Sequence, residues 1–391
     1  MKLVVIGLGQ CGGRLADEFA RLNQRARHMR GIEILVDAFA VNTDTTDLAG
    51  IVTIKADHHH RILIGAELTR GHGVAKLGDV GADIARKDAD KIMDTLRRNE
   101  HLFECDAFLV IAGTAGGTGS GGTPVIIQAL KQRLADRPVY AMAVLPFEHE
   151  EENEEQTVFN TAVCLKSLAE VADATFLVEN QRYVGKDAST ASNVLRINQL
   201  IVAPFFNLLC AGEEKKPKHI GAKTMDAGDI IQSISGWSAI GYGQSLKPII
   251  PLPQDESHHF YKRGTATEEG IHALDQALAE LSATVKPTEA QRALCLVSGP
   301  YKDLNINLIQ DLDSYIKLLC PSANLRSGDY PMEKGLLDVT VILSELSEVD
   351  SVRRFYQKAT KLQREMEAKR QARAVKAELT EEAGKDIPTL L

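Results

Sequence analysis

No stretch of the chain approaches the roughly 20 consecutive apolar residues that a bilayer-spanning helix needs. The opening Met1-Lys2-Leu3-Val4-Val5-Ile6-Gly7 is too short, and too soon broken by glycine, to serve as a signal peptide. Both absences lead to the expectation of a cytoplasmic protein. The six cysteines, at 11, 105, 164, 210, 295 and 320, include no C-x-x-C pair, and several sit inside apolar runs. Reduced core thiols are therefore expected in preference to disulfides or a zinc site. Positive charge is in deficit as well: 45 basic residues face 53 acidic ones, a net charge of -8. That balance disfavours general nucleic-acid binding and leaves room only for a local basic surface. Internal repeats and low-complexity linkers are lacking too.

What is present is ordinary globular material. With 391 residues, 44% hydrophobic and 25% charged, the chain can build two or three domains around a sizeable core. Strand-like runs at Leu3 to Ile6, Ala38 to Val41, Ala107 to Ile111, Val139 to Leu145 and Thr175 to Val178 alternate with helical patterns at Arg14 to Leu22 and Pro124 to Leu134. Such alternation implies a parallel sheet covered on both faces, with ligands bound beyond the carboxyl ends of the strands. From Val194 to Leu209 almost no polar face remains, so a helix there is expected to be buried on most sides, with a kink or early stop at Pro204. Beyond Pro253, residues 254–264 read as a loop. Thr265-Ala266-Thr267-Glu268 then fits a capping box ahead of a helix carrying Ile271, Leu274, Leu278 and Leu281. Ala293 to Val297 reads as a strand and Leu308 to Leu319 as a helix. Alternation of Leu337, Val339, Val341 and Leu343 with more polar neighbours suggests a sheet covered on one face. This second unit is α+β. The tail from Val352 favours helix and is strongly basic through Lys376.

Two glycine-rich loops carry the chemistry. Glycine lets backbone N–H groups crowd around an anion because no Cβ blocks the approach. Gly7-Leu8-Gly9-Gln10-Cys11-Gly12-Gly13 follows the first strand and precedes a helix, the context of a dinucleotide-binding fingerprint. The second loop, Gly113 to Gly122, has no P-loop lysine. Its phosphate site must rest on backbone N–H groups, on the hydroxyls of Thr114, Thr118 and Ser120, and on a helix N-terminus near Thr123-Pro124. A strand entering it and a helix leaving it argue against a flexible linker.

The segment GTAGGTGSGG resembles the tubulin/FtsZ signature, a GGGTG(T/S)G loop, and GLGQCGGR is similar to the first nucleotide loop of the same superfamily. The resemblance covers about residues 1–345. MKLVVIGLGQCGG, AVNTDTTDL, LIGAELTRGHGVAKLGDVGADIA and FLVIAGTAGGTGSGGTPV most resemble CetZ, the archaeal tubulin-like group. It implies an α/β fold in which a parallel-sheet, Rossmann-like GTPase domain (1–193) joins through a buried central helix (194–212) and a connecting region (213–253) to a smaller α+β domain (254–346), with a basic helical tail (347–391). GTP/GDP with Mg²⁺, the ion held mainly through the phosphates, is the implied ligand. Carried over residue by residue, the nucleotide loops match Gly9, Gln10, Cys11 and Gly12; Asn42, Thr43 and Asp44; Gly71, His72 and Gly73 near the γ-phosphate; and Gly113, Thr114, Ala115, Gly116, Gly117, Thr118, Gly119 and Ser120. Asn180 and Asn198 match the guanine-reading positions, where one side chain both donates to and accepts from the purine edge. For Asn198 the alternative is a satisfied polar residue of the core.

TMDAGDII places Asp226 and Asp229 at a helix start and resembles the NxDxxD synergy loop of FtsZ, which reaches into the neighbouring subunit's nucleotide site. Carboxylates suit that task because they can accept a proton from an attacking water. The alternative is a plain N-cap and a favourable dipole charge. Thr224 stands where the family has Asn. The resemblance implies a GTPase that polymerises head to tail, shares its active site between subunits and controls cell shape or motility, with FtsZ-like division as an alternative. A GTP-binding scaffold without turnover and, from the first loop alone, an NAD(P)-dependent oxidoreductase are the readings from other classes. His58-His59-His60 reads as a surface loop. The acidic run Glu148 to Glu155 reads as a solvated loop, with interface charge as the alternative. The basic tail reads as a helix packed on its own body, with docking to an acidic membrane at the cell envelope, or to a filament partner, as the alternative.

Overall fold

Short β-branched runs separated by amphipathic segments fold here into strands and helices that alternate through most of the first half. The structure, a computed structural model, describes residues 1–134, 136–184, 190–245, 259–333 and 335–384. The first half runs β1 (Leu3–Leu8), α1 (Gly9–Arg30), β2 (Leu35–Asn42), α2 (Thr45–Ala49), β3 (Arg61–Leu63), α3 (Ala66–Thr69), α4 (Gly78–Lys87), α5 (Ala89–Arg97), β4 (Ala107–Gly113), α6 (Gly117–Arg133), β5 (Val139–Leu145), α7 (Glu148–Asn153), α8 (Glu155–Val171) and β6 (Ala174–Glu179). The second half runs α9 (Thr190–Val202), α10 (Phe205–Ala211), α11 (Ala227–Ser233), β7 (Gly236–Gln244), α12 (His259–Ala279), β8 (Arg292–Pro300), α13 (Ile306–Leu319), β9 (Asn324–Met332), β10 (Asp338–Ser344) and α14 (Asp350–Gly384).

One sheet of ten strands threads the molecule in the order β3-β2-β1-β4-β5-β6-β7-β10-β8-β9. From β3 to β7 all neighbours are parallel. The first residues of β7 pair with β6 through Ala174↔Gly236 to Phe176↔Ser238, and its remainder pairs antiparallel with β10. A single strand thus joins a parallel half to a mixed half. Alternate residues of β1 feed two cores: Val4, Ile6 and Leu8 meet α4, α5, α6 and α8, while Leu3 and Val5 meet α1, α9 and α10.

Several expectations need correction. β10 is buried along all seven residues, so its sheet is covered on both faces. The pattern misled because two polar members of the alternation are paired inside, the Ser344 hydroxyl bonding with Ser238 at 2.8 Å and Asp338 accepting from Gln244 at 2.8 Å, while the hydroxyl of the third, Thr340, is buried without a partner. α6 begins at Gly117, well before Pro124, which lies inside the helix. α12 begins at His259, so Thr265 is not its N-cap and 259–264 are helical; the rest of the expected loop, 254–258, lies outside the described residues, as does the boundary at 253–254. The run Glu148 to Glu155 is not a solvated loop: most of it forms α7, and Glu151 is buried between Arg354 (3.2 Å) and Lys358 (2.5 Å) of α14. The α14 end that carries these cations packs on the body through buried Val352 and Phe355.

The apolar stretch Val194–Ala211 does break at Pro204, which ends α9 and opens α10. Leu195 and Leu200 are exposed, so its burial is incomplete on one face. By length and composition alone these 18 residues could cross a bilayer, contrary to the expectation that no stretch comes near that length; 61% of the stretch is buried inside the protein.

Candidate nucleotide site

Beyond the carboxyl ends of β1, β2, β4 and β5 lies a cavity of about 400 Å³, a size typical of small-molecule sites. One side is backbone. α1 and α6 both begin at this edge with glycines, Gly9 at φ 70 and Gly116 as the residue preceding α6, so the N–H groups of two first turns point outward. The glycines also serve packing. A Cβ on Gly12 would overlap the Ile111 carbonyl, and one on Gly121 would overlap the Gly78 carbonyl, which lets α1 and α6 lie against their neighbours.

Of the sequence-derived residues, Gly9, Gln10, Cys11, Asn42, Asp44, Gly73, Gly113, Ala115, Gly116, Gly117, Thr118, Gly119, Asn180 and Asn198 line this cavity. The others stand behind it. Thr43 is fully buried and bonds its hydroxyl to that of Thr118 at 2.7 Å. Thr114 donates to the Val144 carbonyl at 3.1 Å, and Ser120 turns back to the Gly116 carbonyl. Gly71 and His72 sit in the loop that runs beside residues 43–45: Thr45 N donates to Gly71 O at 3.0 Å, Gly73 N to Thr43 O at 3.2 Å, and His72 forms an antiparallel bridge with Asp44. Gly12 lies in the α1 packing surface.

The polar side chains are ordered by each other. Asp47 accepts from Gln10 Nε2 at 2.7 Å and from Asn42 Nδ2 at 3.0 Å. Asn42 Oδ1 in turn accepts from Thr43 N at 2.8 Å, and Asp44 caps α2 by accepting from Thr46 N at 2.8 Å. Val144, Leu145, Pro146, Phe147, Val194 and Ile197 add apolar wall to the same cavity, together with the amides of Asn180 and Asn198, the latter buried on α9. The arrangement offers backbone donors for an anion, and apolar wall with two amides for a planar polar ring. Burial pushes the Cys11 thiol up to about 12, so it stays neutral beside the anion site. Residues that sequence reasoning missed are Arg14, Asp47, Lys76 and Glu150. Arg14 follows Gln10 by four on one helix face and Asp47 follows Asp44 by three, signals that could have found them.

Asp226 and Asp229 lie elsewhere. Asp226 N-caps α11 through Asp229 N at 2.8 Å, and Asp229 is ion-paired with Arg326. Gly212 is packed against both Met1 and Ile230 of α11, and the Met1 amino group bonds Leu209 O at 3.1 Å. α11 therefore sits at the amino end of β1, while the cavity opens at its carboxyl end. Six extended residues separate them, about 20 Å at about 3.3 Å each. The acid pair cannot reach the cavity of its own chain.

Residues 2–185 match the Tubulin/FtsZ family, GTPase domain, and residues 187–361 match the Tubulin-like CetZ, C-terminal domain. The chain is 31% identical over 389 residues to the tubulin-like protein CetZ1 of Haloferax volcanii, covering 95% of each. It belongs to the CetZ group of the tubulin/FtsZ family. Two CetZ structures from the same organism superpose on it: CetZ1 as a GDP-bound monomer, with a TM-score of 0.78 at 27% identity over 93% of this chain and 100% of that one, and CetZ2 as a GTPγS-bound protofilament, with a TM-score of 0.79 at 26% identity over 94% and 100%. The CetZ fold thus accounts for both halves of the sheet and for the helices α9 and α10 between them.

Proposed function

We propose that this chain binds GTP in the cavity and hydrolyses it when it assembles head to tail into cytoskeletal filaments that control cell shape or motility. The single observation that carries the reading is the separation of parts: a phosphate-cradling cavity at the carboxyl edge of the sheet, and a pair of carboxylates at its amino edge. Stacking one copy on the next brings the second edge over the first. Asp226 and Asp229 of one subunit then face the terminal phosphate held by its neighbour and orient the attacking water. A contact of this kind does not close on itself, so it generates a filament. That the CetZ2 relative is a GTPγS-bound protofilament supports both halves of the proposal.

Within the cavity the N–H groups opening α1 and α6 hold the phosphates, and Asn180 and Asn198 read the guanine edge. No group of three or more His, Cys, Asp or Glu suited to a metal occurs among the described residues. A Mg²⁺ ion would therefore take most of its ligands from phosphate oxygens and water, which is usual for this ion.

A second reading, a nucleotide-gated scaffold without turnover, draws on Arg326, which neutralises Asp229, and on Thr224 in place of the family Asn. Asp229→Ala separates the two. The GTPase reading expects turnover to fall by about 100-fold or more, the range of a lost general base, with GTP affinity and pelleting retained. Unchanged turnover would remove the catalytic assignment.

A further inference from the structure

The glycine loop carries no cation of its own, and among the described residues only Arg14 and Lys76 bring positive side chains to the cavity wall. Lys76 ends a loop that leans directly on the phosphate-binding turn: the space beside Gly117 is filled by the Val74 side chain and the Leu77 backbone. Three non-glycine residues of that loop are held in left-handed conformations, Arg70 at φ 52, Ala75 at φ 49 and Lys76 at φ 61. Such conformations persist only where the surroundings impose them, and they cluster at ligand clamps and switches.

Asn160 of α8 is part of what imposes it. Its side chain is buried, and its Nδ2 donates to the carbonyl of Lys76 at 2.8 Å and to that of Ala115 at 3.0 Å, while its Oδ1 accepts from Gln156 at 2.8 Å. One amide therefore staples the backbone of Lys76 to the turn that receives the phosphates. The ammonium group, by contrast, is held loosely. It pairs with Glu154, and the two side chains are 42% and 45% exposed. Glu154 also accepts from the Thr157 hydroxyl at 3.0 Å, so it keeps a partner and water when the lysine departs.

We propose that Lys76 distinguishes GTP from GDP: with a triphosphate bound, its ammonium leaves Glu154 for the terminal phosphate oxygens, and with a diphosphate it returns. This rests on the reading of the cavity as a guanine-nucleotide site and adds the residue that senses the third phosphate. The exchange runs in that direction because an exposed carboxylate pair contributes little, whereas a multiply charged phosphate in a partly enclosed site makes stronger charge-assisted bonds to the three donors of a lysine. The backbone staple keeps the loop in place during the exchange, so only the side chain has to move.

The test is the affinity of the full chain for GTP and for GDP, by competition against a fluorescent guanine nucleotide at protein concentrations too low to pellet, in the wild type, Lys76→Gln and Glu154→Gln. Lys76→Gln keeps the carbonyl that Asn160 holds, so the loop survives the change. GTP affinity is expected to fall roughly tenfold while GDP affinity stays within about twofold, as for loss of one charge-assisted contact. Glu154→Gln, which frees the lysine, is expected to raise the preference for GTP. An equal loss for both nucleotides would show a loop-shaping role and overturn the proposal, as would an unchanged ratio in both variants. A wild type that binds neither nucleotide would overturn the guanine-nucleotide reading as well, and so is distinct from these results.

Discussion

Cys11 illustrates how single residues serve this site. Its thiol lines the cavity wall, and burial, reinforced by Glu150 and opposed by Arg14, pushes it up to about 12. At pH 8 a thiol of that acidity is about one part in ten thousand thiolate, so it adds no negative charge beside bound phosphates. Because the thiolate is the reactive form, alkylation of Cys11 is expected to be slow at pH 8 and to accelerate about tenfold per pH unit as pH rises toward 10. Peptide mass spectrometry of timed samples reads the rate, and fast labelling at pH 7 would contradict the suppressed ionisation of this half-buried thiol. Gln10, Cys11, Asn42 and Asn198, all four of which line the cavity, were named through the resemblance to the tubulin/FtsZ family. Lys76 and Glu150 were not. Lys76 reaches the cavity through left-handed turns at Ala75 and Lys76 itself, and neither residue type announces such a turn.

Among the elements, α6 carries the most information. Its first two turns, Gly117 to Gly122, were read as loop, as suits a poor helix former, yet they are helical, and Gly117, Thr118 and Gly119 line the cavity. Close packing overrides propensity here. α4 crosses α6 where Gly121 meets Gly78, and a methyl group on Gly121 would overlap the Gly78 carbonyl. Gly121→Ala is therefore expected to lower stability by about 1–3 kcal/mol, the usual range for overpacking. Gly116→Ala, where nothing lies within 4 Å of the added methyl, serves as the control and shifts a urea midpoint much less. Equal midpoints for the two variants would refute the packing account. Pro204 and the strands β1, β2, β4, β5 and β6 were readable from local pattern alone, whereas β3 and β7 were not read as strands. The burial of β10 was not readable, because it depends on partners distant in the chain: β10 pairs with β7 on one side and β8 on the other.

Across the whole molecule the governing fact is polarity. The ten-stranded sheet has its nucleotide cavity at one edge of the parallel half and α11 at the other, with Asp226 and Asp229 displayed away from the cavity. The sequence shows both motifs but not their opposition, since that depends on where β1, α10 and α11 meet in space. The buried Glu151, gripped by Arg354 and Lys358, adds a second long-range tie, from the C-terminal helix to the segment beside the cavity. If the two edges complete one site, catalysis belongs to the contact between copies. The most direct test is GTP turnover per subunit over a protein concentration series, with pelleting of the same samples. The account predicts turnover per subunit that rises steeply above the concentration at which protein begins to pellet; a constant rate per subunit, with or without a pellet, would contradict it.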